Sequence, residues 1–191
     1  MLKFKFILLL SILIIFNSCA KDKVKTSVIK EKSLELQVFE AYNEGMEAFE
    51  AGDVLYAAKK FNEAEVLFPQ SDWAPRYALM AAYSYYVQDY YPDSIAELER
   101  FIKIYPFYKD ISYVHYLLGI CYFEQIVDEK KDLRSIRQAK EKFEFVLKEY
   151  PATEYAIDAD FKIDLINDIL ASKEMYIGRY YFDKKKMDTS N

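Results

Sequence analysis

The chain is short of the residues that break a polypeptide into small pieces, with four glycines and five prolines in 191 positions. So little turn material argues against a protein of many short strands and hairpins, and predicts a chain that is nearly all helix. Cysteine is scarcer still. Cys19 and Cys121 are the whole supply, which excludes a disulfide framework, and Cys121 lies in the apolar stretch Tyr116 to Phe123, where it reads as a small buried hydrophobe. The single histidine, His115, has no cysteine or carboxylate pair at ligand spacing, and there is no glycine-rich phosphate loop. Asp158, Asp160, Asp164 and Asp168 recur on one helix and read as a solvated face rather than a metal site. No nucleophile and base arrangement stands out, so we expect no catalytic residues, no metal and no cofactor. Basic residues are outnumbered, 26 against 31 acidic, which makes nucleic acid an improbable partner.

Aromatic residues are what the sequence has in excess, 18 Tyr and 14 Phe, more than a small core consumes. They fall into a repeating frame. Gly45, Ala82 and Gly119 stand 37 residues apart, as do Pro69 and Pro106, and Pro151 closes a third copy after eight extra residues. After each small residue comes a stripe spaced four and three: Ala57, Phe61 and Ala64; Ser94, Leu98 and Phe101; Ala139, Phe143 and Val146. Such a frame predicts a helix pair per copy, in which a small residue on the first helix admits the second and a proline ends it.

Sequence punctuation then places the helices. The first runs from Ser33 to about Ala51, Gly52-Asp53 gives a turn and an N-cap, and Ser71-Asp72 caps the next helix, with Pro75 in its first turn. Pro92 and Asp93 open a helix to Tyr105, and another runs from Ile111 to Gln125. The stretch 126–138 holds the eight-residue insertion, dense in charge, and reads as a longer turn before the array resumes at Ala139. A helix capped near Thr153 is expected to end at about Ala171.

The N-terminus reads as an export signal. Lys3 and Lys5 precede an apolar run from Phe6 to Phe16, too short for a membrane span of about 20 residues. With Ser18 before Cys19, residues 1–18 resemble a bacterial lipoprotein signal, which implies a diacylglycerol and an N-acyl chain on Cys19; an ordinary secretory signal is the alternative. Ala20, where an Asp would retain a lipoprotein at the inner membrane, favours the outer membrane and its periplasmic face. Residues 19–32 then form the lipidated cysteine and a polar tether.

The frame resembles the tetratricopeptide repeat, through Gly45, Ala57, Phe61, Ala64 and Pro69, then Ala82, Tyr85, Leu98 and Pro106, then Leu118, Gly119, Tyr122, Ala139, Phe143 and Pro151. It implies an all-α solenoid of helix pairs in a right-handed superhelix, with three repeats over 33–154. A closer resemblance rests on Tyr42-Asn43-Glu44-Gly45, Phe68-Pro69, Trp73-Ala74-Pro75, Tyr105-Pro106 and the run Leu170 to Tyr181. These are similar to the BamD family, outer-membrane lipoproteins of the barrel-assembly machinery, over roughly 40–182.

That resemblance implies a periplasmic scaffold that receives unfolded outer-membrane precursors and docks on a BamA-like barrel-forming protein beside other assembly lipoproteins. Counting from the small residue of each copy puts Phe39, Tyr42, Met46 and Phe49, then Arg76, Leu79, Tyr83 and Tyr86, then Tyr113, Tyr116, Ile120 and Phe123 on a concave, aromatic face. Such a face suits an extended peptide with aromatic side chains, and Arg76 suits a terminal carboxylate. The family carries further repeats after the Gly-Arg-Tyr-Tyr segment, so 155–182 is expected to be a connecting helix and the first helix of an incomplete fourth repeat, with 183–191 a polar tail. Tyr176, Arg179 and Tyr180 are the expected docking residues. The rival reading is a general periplasmic adaptor for cell-wall or secretion proteins.

Overall fold

A computed structural model describes residues 33–126 and 133–188; the leader, Cys19, the tether and the middle of the charged insertion lie outside the described residues. Among the described residues seven helices follow one another: α1 Leu34–Glu50, α2 Val54–Leu67, α3 Ala74–Tyr86, α4 Tyr91–Ile104, α5 Ile111–Glu124, α6 Arg134–Glu149 and α7 Glu154–Asp188. Each packs on the next in sequence, and α7 also touches α5. None of the described helices is long and apolar enough to cross a membrane.

Local chemistry explains the helix ends. The Ser33 hydroxyl accepts from the Leu36 amide at 3.3 Å and the Asp53 carboxylate from the Tyr56 amide at 3.1 Å, each satisfying a donor that the first turn leaves over. Ser71 caps differently from expectation: its hydroxyl accepts from the Trp73 amide at 3.1 Å, ahead of a helix that starts at Ala74 without a side-chain cap. The first two turns between partner helices share one device. Gly52 has φ +81° and Asp89, its counterpart one frame later, φ +63°. Asp89 tolerates this left-handed conformation while its carboxylate accepts from the Tyr91 hydroxyl at 2.6 Å.

The seam between partner helices is a fit of sizes. Ala57, Phe61 and Ala64, Ser94, Leu98 and Phe101, and Ala139, Phe143 and Val146 are all fully buried. A Cβ on Gly45 would sit 2.9 Å from the Phe61 ring, and one on Gly119 2.8 Å from the Phe143 ring. Where the first helix offers Ala82 instead of glycine, the second offers Leu98 instead of phenylalanine, and both are buried in one cluster. Polar groups drawn into this seam are satisfied: the Ser94 hydroxyl donates to the Ala82 carbonyl at 2.9 Å and accepts from the Cys121 thiol at 3.4 Å. Burial pushes that thiol up to about 11, which keeps it protonated.

A second tie joins the outer helices of consecutive repeats. Arg100 on α4 forks onto the buried Glu65 of α2, through Nη1 at 2.9 Å and Nη2 at 2.7 Å, while the Tyr105 hydroxyl donates to the same carboxylate at 2.7 Å. Asn62 donates to Glu97 at 3.1 Å and Glu97 accepts from Arg100 Nε at 2.8 Å. The bidentate geometry fixes α4 against α2 in rotation as well as distance.

Two expectations about the later helices need correction. The array resumes at Arg134 rather than Ala139, because Ile136 supplies a buried apolar turn before the stripe. α7 does not stop near Ala171, and Asp183 to Asp188 belong to it rather than to a tail; it is one helix of 35 residues. Its first half is anchored by the buried Ala156, Ala159, Ile163 and Ile166, and no residue whose burial is described after Ile166 is buried.

The seam predicts opposite signs for one substitution at two glycines. Gly119→Ala is expected to lower stability by about 1–3 kcal/mol, since its methyl group meets Phe143. Gly178 has nothing within 4 Å, so Gly178→Ala is expected to gain about 0.5–1 kcal/mol through helix preference. Phe61→Ala removes the filling ring and is expected to cost about 3–5 kcal/mol. Urea unfolding followed by circular dichroism measures all three.

Candidate binding groove

The aromatic residues picked out from the frame do not all share one surface. Phe49 meets Tyr83 at 6.1 Å between ring centroids, Tyr83 meets Tyr86 at 5.8 Å, and Tyr86 meets Tyr91 at 6.3 Å. On the next repeat Tyr113 and Tyr116 stand 5.5 and 5.4 Å from Tyr155 of α7. These tyrosines all pack against one core cluster, and with Phe49 they make up an aromatic wall contributed chiefly by α1, α3, α5 and α7. Every ring in it is half-buried.

Within this wall several residues also work for the seam. Tyr42 and Tyr116, in equivalent places two frames apart, lie 5.9 and 6.1 Å from Phe61 and Phe143. Phe123 stands edge-on to Phe143 at 6.3 Å with the Lys162 ammonium 5.1 Å from its own ring. Met46 and Leu79 are half-buried beside the core clusters. Two residues, Ile120 and Arg76, depart from the expected face, while Phe39 stands exposed. Ile120 is only 7% exposed and belongs to the core, because α5 is enclosed on nearly every side. Phe39 is 61% exposed at the start of α1. Arg76 is exposed beside Trp73, 5.4 Å from its ring, where it lines a different groove with Leu79 and the 104–110 turn.

Counting one helix further would have found what was missed. The frame-mate of Phe39, Arg76 and Tyr113 is Asp158, and its carboxylate accepts from the Tyr116 hydroxyl at 2.6 Å. The wall thus carries acids among its phenols, Asp158 beside Tyr116 and Asp89 beside Tyr91. Burial pushes Tyr113 up to about 12 and, together with the hydrogen bond to Asp158, raises Tyr116, so both remain neutral. Neutral phenols offer hydrogen bonds and flat apolar faces at once, which suits peptide backbone and aromatic side chains.

His115 does not join the wall. It stacks 4.5 Å from Phe145 and 5.9 Å from Tyr150, in a cleft lined also by Lys142, Glu99, Glu141 and Glu144. Tyr176, Arg179 and Tyr180 lie on the exposed second half of α7. There Ile177-Gly178-Arg179-Tyr180-Tyr181-Phe182 echoes Leu118-Gly119-Ile120-Cys121-Tyr122-Phe123 of α5. The α5 glycine receives a ring; Gly178 receives nothing within 4 Å.

Burial, with Lys142 nearby, pulls His115 below its ordinary value of 6.5. The unfolded chain therefore takes up this proton at higher pH than the folded one, so the stabilisation is complete above about 6.5 and is lost as pH falls through the lower folded value. Urea midpoints of wild type are expected to drop between about pH 7.5 and pH 5.5, and His115→Gln is expected to flatten that drop.

Comparison with known proteins agrees with this architecture. The YfiO family, described as outer membrane lipoprotein, matches residues 35–189. The chain is 42% identical over 164 residues to the outer membrane protein assembly factor BamD of Caulobacter vibrioides, covering 85% of this chain and 52% of that one. It is 34% identical over 177 residues to BamD of Rickettsia prowazekii, covering 93% of this chain and 68% of that one. The chain therefore spans between about half and two thirds of these relatives. Among solved structures, the first tetratricopeptide domain of Spaghetti (RPAP3), bound to an HSP90 peptide, superposes with TM-score 0.52 at 16% identity over 71% of this chain and 94% of that one. The likeness to that domain is one of fold, and together with the seven-helix array it makes this an all-α tetratricopeptide protein. With the family match running almost from the first described helix to the last, the chain belongs to the BamD (YfiO) family of outer membrane lipoproteins.

Proposed function

We propose that the protein is a lipid-anchored scaffold in outer-membrane β-barrel assembly, which holds aromatic segments of unfolded precursors on the tyrosine wall and contributes no catalysis. The observation that carries this reading is that Tyr83, Tyr86, Tyr113, Tyr116 and Tyr155, from three first helices, all pack half-buried against one core cluster. Membership of the BamD family supports the pathway, and the wall supports the binding mode. An extended strand can stack its aromatic side chains on the phenol faces while its amides meet hydroxyls and Asp158. Arg76, set apart from the wall, is available to a terminal carboxylate only if the peptide also reaches the neighbouring groove.

Cys19 is the proposed anchor, carrying a diacylglycerol and an N-acyl chain that hold the array at the periplasmic face of the outer membrane. Tyr176, Arg179 and Tyr180, with the open seat at Gly178, are the proposed docking face for the BamA-like barrel-forming partner. Their exposure on the second half of α7, where no residue whose burial is described is buried, is what supports this assignment.

Two experiments test the reading. A photo-crosslinking amino acid at Tyr83 or Tyr116 in living cells is expected to capture nascent outer-membrane barrel proteins; adducts only with cell-wall or secretion proteins would favour a general adaptor. Cys19→Ala is expected to move the protein from the membrane fraction to the soluble periplasm, and unchanged sedimentation would refute the anchor.

A further inference from the structure

Helices joined by short turns run antiparallel, so the turns that lead from each second helix into the next first helix share one edge of the array. The start of α1 lies at this edge too, because Val38 and Ala41 pack with Ala64 and Leu67 near the end of α2 and with Tyr77 near the start of α3. This edge is unusually apolar for a set of turns. Phe107 is 97% exposed and Trp73 55% exposed, and Leu34 and Leu36 are open at the start of α1. The Trp73 and Phe107 turns stand side by side and line one open groove with Arg76, Lys109 and Asp110. Lys109 lies 3.7 Å from Asp110, and Asp72 on the same groove balances Arg76, so the edge carries no excess charge of note.

The occupant follows from where the rest of the chain attaches. The segment after Cys19 enters α1 at Ser33, at this same edge. Fully extended it reaches on the order of 45 Å, at about 3.3 Å per residue. Resting on the reading of Cys19 as a lipid anchor, this edge is the part of the array tied nearest to the bilayer. We propose that the turn edge docks on the phospholipid bilayer, with Trp73 and Phe107 inserted at the boundary between headgroups and acyl chains and Arg76 and Lys109 at the level of the phosphates. Tryptophan is enriched at this depth because its ring is apolar while its N–H stays hydrated, and phenylalanine gains by leaving water. Two rings bind weakly by themselves, and the tether makes their contact intramolecular. Apolar insertion rather than charge supplies the hold, so the contact is insensitive to salt.

Trp73 is the one tryptophan of the sequence, so its emission reports this edge alone. The helices form a compact unit within residues 32–191, and Cys121 is buried, so a chain beginning at Cys19 can be coupled at that cysteine to a maleimide lipid. The vesicles are phosphatidylethanolamine and phosphatidylglycerol. Expected are a shift of Trp73 emission to shorter wavelength on coupling, loss of emission when the acyl chains are brominated, and persistence of both in about 0.5 M salt. Phe107→Ser, with helix content unchanged, is expected to shrink the loss. Emission equal to that of the uncoupled chain, or equal in brominated and plain vesicles, overturns the proposal. Shielding of Trp73 from acrylamide by added periplasmic protein but not by vesicles also overturns it, and assigns the edge to a protein. Chemical coupling bypasses lipidation in the cell, so a failure here is distinct from a failure of the anchor, which Cys19→Ala fractionation reads separately.

Discussion

Contact between a side chain that is nearly absent and a ring that fills its place sets the spacing of this array. At Gly45 and Gly119 the backbone of the first helix comes close enough that a methyl group would overlap Phe61 or Phe143. That approach fixes the distance between partner helices, and the distance decides which neighbouring residues are core. Ala57, Ala64, Ala139 and Val146 are fully buried because the ring beside them has been admitted to full depth. Interiors packed at crystal density leave little slack, so the seam is a constraint on every later element.

The aromatic wall depends on the same contact. Tyr42 and Tyr116 lean on the seam rings and stay half-buried there. A phenol held this way has little side-chain freedom left to lose, which is the physical basis of the proposed peptide binding. The Glu65–Arg100 fork contributes differently, since it links second helices on consecutive repeats. With one partner of the pair buried and its oxygens also bonded to Tyr105, removal of Arg100 leaves a buried carboxylate undersatisfied.

Much of this was legible in the sequence because size complementarity leaves a written record. Glycine pairs with phenylalanine twice and alanine with leucine once, at a spacing that changes only by the eight-residue insertion in the third copy, and the structure places each pair in the seam between partner helices. Helix starts at Ser33 and Asp53 were legible for the same reason, that an N-cap needs a particular side chain. Exposure was less readable. Ile120 shares a frame position with Met46 and Tyr83, yet α5 is covered by α4, α6 and α7, and position in a repeat does not reveal how many neighbours a helix has. Arg76 shares a position with Tyr113, but follows the Trp73 turn and leaves the wall. α7 continues past Ala171, where no proline or glycine stands to stop it, and Gly178 lies within the helix without ending it. Asp158 was read as one of four solvated acids, and a count carried into α7 would have placed it beside Tyr116.

The claim that a ring in a glycine seat sets the helix spacing is tested most directly by a double-mutant cycle at Gly119 and Phe143, measured by urea unfolding. Phe143→Leu in the Gly119→Ala background recreates the Ala82–Leu98 pairing found in the second repeat. The account predicts that the double variant is more stable than the sum of the two losses allows, by about 1 kcal/mol or more of coupling. Losses that simply add would contradict it, because the two side chains would then not be competing for the same space.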